Sequence, residues 1–429
     1  MTIDTNNDEL FPMHAHLEQI TRRQLPSTAL GAALIGSEEE ELLLDVIRRK
    51  EPFRYYGTNL ETPPPMAAKL EEELCAYLDA RYALAVCNGT SALEVALGAL
   101  GIGSGDEVIL PVWSWDSCFT SIMRSGATPV LAEIDQTLCL DPAEIPRLCT
   151  PRTKAVMIVH YQGVAADMEA IMAESRKAGI KVLEDCAESP GVTHQGQRVG
   201  TIGDIGIFSF QYAKSMTCGE GGAVVTNDPV LYERSVRMHD LGKMRPYHEG
   251  KVAVSVNRFC GGQYRMTELQ AAVALAQLRK LETLRERCRR TQAIIMQRIG
   301  HLKHLQFRSI PDPIGDSGFE IYFWLEAPEQ VGPFIELLEK WGVATLKGSG
   351  TTCHYNLEYC QSQPTLASGS SPFDAQQSWP APGYQKTDFP KTEQLIHRFI
   401  AVPLGVLFTD EDADYIGRVI CGIHDTLLT

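Results

Sequence analysis

The chain lacks the features that mark several large protein classes. No apolar run approaches the roughly 20 residues needed to span a bilayer. The opening stretch, MTIDTNNDELFPMHAHLEQ, has neither the basic start nor the apolar core of a signal peptide, so a cytoplasmic protein is expected. Basic residues are in deficit: 39 Lys and Arg face 54 Asp and Glu, for a net charge of −15. That argues against a nucleic-acid binder, which needs a basic surface for phosphates. It leaves room for small anionic ligands, because backbone dipoles bind phosphate even on an acidic protein. There is no CxxC pair among the twelve cysteines. Most sit in apolar segments (Cys75, Cys87, Cys118, Cys218, Cys421), so reduced core thiols are expected and no disulfide framework or zinc site. No GxGxxG follows the first strand and no GxxxxGK[ST] occurs, which removes the best signals of a nucleotide-binding fold. No repeat of about 20–50 residues appears, which argues against a solenoid or propeller.

What is present reads as a globular enzyme of two domains, since 429 residues exceed one small core. Residues 1 to about 30 are polar and irregular, a loose arm. Ser37, the four glutamates after it and then Leu42, Leu43, Leu44, Val46 and Ile47 read as a capped amphipathic helix. The turn-rich link FRYYGTNLETPPP follows. From residue 66 helices alternate with short apolar strands: Met66–Leu78 helical, Tyr82–Cys87 a strand, Ser91–Leu100 helical, then strands at Glu107–Val112, Pro129–Ile134, Ala155–Tyr161 and Ile180–Asp185. This pattern predicts an α/β domain with a mostly parallel sheet sandwiched by helices, whose ligands bind at the carboxyl ends of the strands. Arg265 to about Ile299 reads as one long amphipathic helix, or two in sequence, leading into a smaller α+β unit after Pro311-Asp312-Pro313. The expected division is 1–65 (an arm and a helix packing on the small domain), 66–285 (the large domain) and 286–429 (the small domain). Residues 361–390, rich in Ser, Gln, Pro and Gly, read as a long surface loop or lid.

The chemistry gathers around DIGIFSFQYAKSMTCGEGGAVVTND, residues 204–228. Here Lys214 sits between an apolar strand and a glycine-rich turn, Gly219 to Gly222, that lets backbone pack closely. A lone lysine is usually a surface charge. One held in partial burial favours its neutral amine, which attacks carbonyls to form a Schiff base. Three other strand ends carry companions. Asn88-Gly89-Thr90-Ser91 opens a helix and offers N–H groups and hydroxyls to a phosphate, although an ordinary helix cap reads the same way. Glu184 and Asp185 end a buried strand, where a carboxylate needs a partner such as a protonated heterocyclic nitrogen. Trp113 and Trp115 offer a flat surface for a ring, with core packing as the plain alternative. Together these are the parts of a pyridoxal 5′-phosphate site. A nucleotide-binding α/β protein is the runner-up.

The ordered stretches NGTSAL (88–93), GDEVILPVWSW (105–115), GATPVLAEID (126–135), GVAADM (163–168), LEDCAES (183–189), GTIGDIGIFSFQYAKSMTCGEGG (200–222) and GGQYRMTELQAA (261–272) resemble the DegT-type sugar aminotransferases. The resemblance implies fold type I, with a seven-stranded sheet, and a homodimer with shared active sites. It implies that Lys214 forms the Schiff base with pyridoxal phosphate and moves the substrate's proton. Asp185 would meet the ring nitrogen, and Trp115 would stack on the ring. Ser209, Gly89, Thr90 and Ser91 would hold the phosphate. Glu188 stands where the family has glutamine or histidine near the cofactor's 3-oxygen. Because like charges repel, a glutamate there needs to be protonated or turned away. Gln263 stands where a family asparagine reaches the partner subunit's phosphate. The implied reaction moves an amino group from glutamate or glutamine to a keto-sugar, nucleotide-linked or not, or to a keto-cyclitol. Amino-sugar, natural-product or cell-surface polysaccharide biosynthesis is the implied setting. Arg54, Tyr55, Tyr56, His354 and Tyr355 are candidates for the acceptor site. The alternatives are a dehydratase of the same family, in which histidine replaces the lysine, and a non-catalytic binding or regulatory protein on the same scaffold. No metal, membrane or nucleic-acid partner is expected.

Overall fold

The computed structural model describes residue 17 and residues 20–55, 65–253, 255–346, 352–358, 360 and 384–428. Two helices, α1 (Ser37–Arg49) and α2 (Met66–Leu78), precede β1 (Tyr82–Val86). Strand and helix then alternate through α3 (Gly89–Leu100), β2 (Glu107–Pro111), the short β3 (Trp113–Ser114), α4 (Asp116–Ser125), β4 (Thr128–Ala132), α5 (Glu144–Leu148), β5 (Thr153–Val159), α6 (Met168–Ala178) and β6 (Lys181–Asp185). A hairpin of β7 (Thr193–His194) and β8 (Gln197–Arg198) leads to β9 (Ile205–Ser209) and β10 (Gly222–Thr226). After these come α7 (Pro229–His239), α8 (Pro246–Glu249), α9 (Glu268–Ile299), β11 (Leu305–Phe307), β12 (Glu320–Leu325), α10 (Val331–Lys340), β13 (Thr352–Cys353) and β14 (Phe399–Pro403). A helix over Asp410–Leu427 follows.

Seven strands form one sheet in the order β1-β10-β9-β6-β5-β2-β4. Only β10 runs against its neighbours. The cause is local: a parallel return needs a crossover of a dozen or more residues, usually a helix, and the loop 210–221 turns straight back without one. Every residue of β1, β2, β9 and β10 is buried, as both faces are covered. Alternate side chains divide between the faces. Leu84 and Val86 join one core with Val95 and Ile158, whereas Ala83 and Ala85 join another with Leu70, Leu74, Leu275 and Leu278.

The antiparallel sheet β11-β12-β14 has its own core, in which Ile321, Phe323, Ile400 and Val402 meet Phe334 and Ile416. The α9 helix serves both units without a break. Leu275 and Leu278 face the large sheet's core, and Ile295 and Ile299 face the small one. Its start lies at Glu268 rather than Arg265, where the Thr267 side chain caps the Gln270 N–H.

Other expectations shift for identifiable reasons. The first helix begins at Ser37 with Gly36 as its cap residue, whose N–H donates to Glu39 Oε2 at 2.8 Å. Glu39 also accepts from Gln277 at 2.8 Å and Lys280 at 2.6 Å, which pins α1 to α9. The described part of the expected loose arm is docked: Ile20 and Leu25 pack on the small core, Leu17 is buried and Arg23 pairs with Asp412. Residues 361–383 of the expected loop lie outside the described residues. Tyr384 after them is buried and donates to the Pro129 carbonyl at 2.6 Å. Among the described residues all twelve cysteines are free, and no helix is long and apolar enough to cross a membrane.

One buried carboxylate fixes the centre of the sheet. Glu184, fully enclosed on β6, accepts from Ile202 N (2.9 Å) and Gly203 N (2.6 Å) at Oε1. At Oε2 it accepts from Gly200 N (2.8 Å) and the His160 ring (3.0 Å). His160 Nδ1 accepts from Ala166 N at 3.1 Å, so its proton sits on Nε2 and both nitrogens are engaged. His160 and Glu184 are therefore hydrogen-bonded to each other, with the Cys186 thiol close beside them. Replacing either Glu184 oxygen by an amide nitrogen strands two donors. Glu184→Gln is expected to lower stability by about 2–4 kcal/mol, read as a shift in the urea midpoint.

Candidate active site

The strands' carboxyl ends open on a cavity of about 1150 Å³. One wall is the start of α3. Asn88 Oδ1 caps that helix by accepting from Ser91 N at 2.8 Å, and Gly89, Thr90 and Ser91 of this helix end line the cavity. Glycine is required at 89, because a Cβ there would lie 2.7 Å from Ser209 Cβ. Its absence lets the helix end sit against Ser209, the last residue of β9. At the end of β6, Asp185 is buried. Its Oδ1 accepts from Ala187 N at 2.9 Å and its Oδ2 from the Cys118 thiol at 3.2 Å. Burial, the largest influence, pushes its carboxyl pKa above the ordinary value. Trp115, the residue before α4, is half exposed and lines the cavity, whereas Trp113 is buried against Tyr161 and Phe399.

Lys214 lies on the loop after β9, partly buried, with Nζ 3.2 Å from Glu188 Oε1. Glu188 is held from behind, since its Oε2 accepts from Gln162 N at 3.2 Å. Gln162 takes an uncommon left-handed conformation, φ 46°, to present that N–H. The glutamate is thus paired with the lysine instead of standing as an unbalanced charge. The structure brings Gly89, Thr90, Ser91, Trp115, Asp185, Glu188, Ser209 and Lys214 to one cavity.

The profile of the DegT/DnrJ/EryC1/StrS aminotransferase family matches residues 57–421. The chain belongs to that family. It has the fold-type-I architecture and is an enzyme of the pyridoxal phosphate-dependent aminotransferase class. It is similar to the solved 3-amino-5-hydroxybenzoic acid synthase, at 26% identity and a TM-score of 0.77, over 94% of this chain and 100% of that one. An aminotransferase from Psychrobacter cryohalolentis matches at 26% identity and TM-score 0.77, over 95% and 100%. DesV from S. venezuelae, solved with a ketimine intermediate, matches at 27% and 0.72, over 91% and 95%.

Four expected acceptor-site residues of this aminotransferase lie elsewhere. Arg54 is buried in an ion pair with Glu71 of α2 and donates to the Ala85 carbonyl at 2.9 Å, so it holds the 52–55 link against the sheet. His354 is fully enclosed, bonded through Nε2 to the Ser114 hydroxyl at 2.8 Å, and burial lowers its pKa to about 3. Tyr355 is buried and donates to Glu393. Tyr56 lies outside the described residues. Gln263 is exposed and does not line its own chain's cavity. Several cavity residues escaped the sequence reading: Ser27 to Leu30 of the arm, Cys118, Tyr212, Tyr264, Phe319 and Glu320. For Glu320 a signal existed, a charge heading the otherwise apolar strand EIYFWL.

Tyr55 belongs to a buried relay. His239 Nδ1–H donates to the Val236 carbonyl at 2.6 Å, which leaves Nε2 to accept from the Tyr55 hydroxyl at 3.1 Å. Tyr55 in turn accepts from His248 Nε2–H at 3.0 Å, and His248 Nδ1 accepts from Tyr232 at 2.8 Å. Each proton has one place. Burial, then the nearby Arg54 charge, lowers the His239 pKa to about 3 and sends that of His248 well below its ordinary value. The unfolded chain binds protons at these sites below about pH 6.5, while the fold does not. Their contribution to stability is therefore full above that pH and falls as pH drops toward about 3. The urea midpoint should fall between pH 7 and pH 5, and the fall should be smaller in His239→Gln.

Proposed function

We propose that this aminotransferase moves an amino group from glutamate or glutamine to a keto-sugar or keto-cyclitol, in amino-sugar or natural-product biosynthesis. The observation that carries the reading is a single cavity lined by Lys214, Asp185, Ser209, Trp115 and the start of α3. These residues fit pyridoxal phosphate. The glycine-lined helix end beside Ser209 suits its phosphate, and a buried carboxylate with few donors suits a ring-nitrogen cation. When bound, the cofactor supplies the reactive aldehyde and an electron-accepting ring.

The chain's own groups have separable tasks. Gly89, Thr90 and Ser91 with Ser209 hold the phosphate, and Trp115 covers the ring. Asp185 keeps a proton on the ring nitrogen. Lys214 Nζ is the covalent anchor, takes the α-proton from the amino donor and later restores one to the amino product. Glu188, 3.2 Å from Nζ, orients that amine. Exposed Gln263 is available to a second copy's cavity, and exposed Trp115 and Tyr212 flank the cavity mouth, in keeping with a homodimer that shares its sites. A similar solved protein, 3-amino-5-hydroxybenzoic acid synthase, is named for a carbocyclic amine, which supports the carbocyclic end of this acceptor range. In this reading residues 66–285 form the cofactor-binding unit, 286–429 the small domain, and 1–65 an arm and helix apart from both.

Steady-state kinetics with glutamate and a keto acceptor should be ping-pong. Lys214→Ala should lose turnover by about a thousandfold or more, and the visible absorbance of the cofactor-loaded protein should disappear with it. Full turnover in Lys214→Ala overturns the reading.

A further inference from the structure

Asp185 is held by a chain of donors that starts in the segment after α10. There the backbone returns to the large unit: β13 pairs with β3, Thr352 opposite Ser114 and Cys353 opposite Trp113, and His354 N donates to the Val112 carbonyl at 2.9 Å. This pairing seals the His354 ring behind Ser114, with Nε2 2.8 Å from the Ser114 Oγ. Burial lowers the His354 pKa to about 3, so the ring is neutral. Its Nδ1 has no hydrogen-bond partner among the described residues. An orphaned buried N–H is the rarer arrangement, so the ring proton sits on Nε2 and goes to Ser114. The Ser114 hydroxyl, which reaches Cys118, then donates to its sulfur. The Cys118 thiol donates in turn to Asp185 Oδ2 at 3.2 Å. Every proton in the chain points toward Asp185. His354, Ser114 and Cys118 are fully enclosed, and Cys118 and Asp185 end the chain at the cavity wall.

We propose that Cys118 is a positioning residue: oriented by Ser114 and His354, its thiol holds Asp185 as a carboxylate and so leaves the shared proton on the cofactor's ring nitrogen. The inference rests on the aminotransferase reading and deepens it. A donor bonded to a carboxylate favours the charged form over the acid. Asp185 has two such donors, the Ala187 N–H and the Cys118 thiol, and only the thiol is a side chain. Burial already pushes the Asp185 carboxyl toward its acid form. With the thiol gone, Asp185 competes with the ring nitrogen for the proton between them. Cys118 itself stays protonated, because burial and then the Asp185 charge raise its pKa well above the ordinary value. Serine at this position can make the same bond, whereas alanine and valine cannot, and valine keeps the volume filled.

The test loads the full-length protein with pyridoxal phosphate isotopically labelled at the ring nitrogen and reads that nitrogen's NMR chemical shift, which reports how far it is protonated. Wild type and Cys118→Ser should both show a largely protonated ring. Cys118→Ala and Cys118→Val should both move the signal toward the neutral-pyridine position, with the ratio of protonated to neutral ring lower by about fivefold or more. Agreement between those two variants separates the lost donor from the lost volume. His354→Phe, which keeps a flat ring but removes the first donor, should move the signal the same way by a smaller step. In single turnovers with glutamate the rate constant should fall in the alanine and valine variants with little change in the Kd of glutamate, and serine should restore it. An unmoved signal in Cys118→Ala and Cys118→Val, a serine variant that follows alanine, or an unmoved signal in His354→Phe overturns the proposal. The two readings fail differently. A wild-type protein that does not take up the cofactor, or holds it with a neutral ring nitrogen, sinks the role of Asp185 in the aminotransferase reading; a protonated wild-type ring that ignores the loss of the thiol sinks only the role of Cys118.

Discussion

Two adjacent acids at the end of β6 carry the constraint on which the site depends. Side chains alternate along a strand, so Glu184 and Asp185 point to opposite faces of the sheet. Glu184 accepts four hydrogen bonds from protein groups, tying the end of β5 through His160 to the 200–203 turn that leads into β9. With that carboxylate satisfied, the ends of β5, β6 and β9 are held in register, and with them Asp185, Ser209 and the loop bearing Lys214. Asp185 is left with one backbone N–H and one thiol. Burial raises its pKa because so little around it favours the charged form. One acid serves the fold; its neighbour is left for a ligand.

The antiparallel β10 matters for the same reason. By turning back at 210–221 the chain keeps Lys214 near the edge it has just left, and it lays β10 beside β1. Gly222 makes that contact possible: a Cβ there would come within 2.8 Å of Asn88 backbone atoms and 2.7 Å of the Phe208 carbonyl. The glycine-rich turn thus brings the start of α3, which follows Asn88, up against the end of β9. The crowding it relieves is backbone against backbone.

Much of this was readable from residue pattern. The α2 limits, Met66–Leu78, coincide with those expected because Pro65 opens the helix and Asp79 closes it in a left-handed conformation. A parallel sheet gathers its strand ends at one edge, so motifs at those ends were expected to meet there before any contact was known. Arg54 and Tyr55 misled because an arginine among aromatics in a loop looks like a binding surface. Their partners, Glu71, His239 and His248, stand far along the chain at no diagnostic spacing. Ser27 to Leu30 reach the cavity only because Leu17, Ile20 and Arg23 dock the arm, a tertiary effect with no local pattern.

Glu188 shows how a carboxylate in the cavity is balanced: one of its oxygens meets the Lys214 amine and the other a backbone N–H. That N–H comes from Gln162, whose left-handed backbone is uncommon for a residue with a side chain and is retained where surrounding contacts over-determine it. Gly163, which follows it, also has positive φ and donates to the Glu188 carbonyl and the Ser189 hydroxyl. The 161–163 turn is therefore shaped to the segment that carries Glu188. A neutral glutamine at this position could keep the bond from Gln162 but would leave Lys214 without a counter-charge, in a cavity whose other cation, Arg124, is already committed to Glu94. The carboxylate is thus matched to the amine it faces, and the backbone behind it is bent to keep that match.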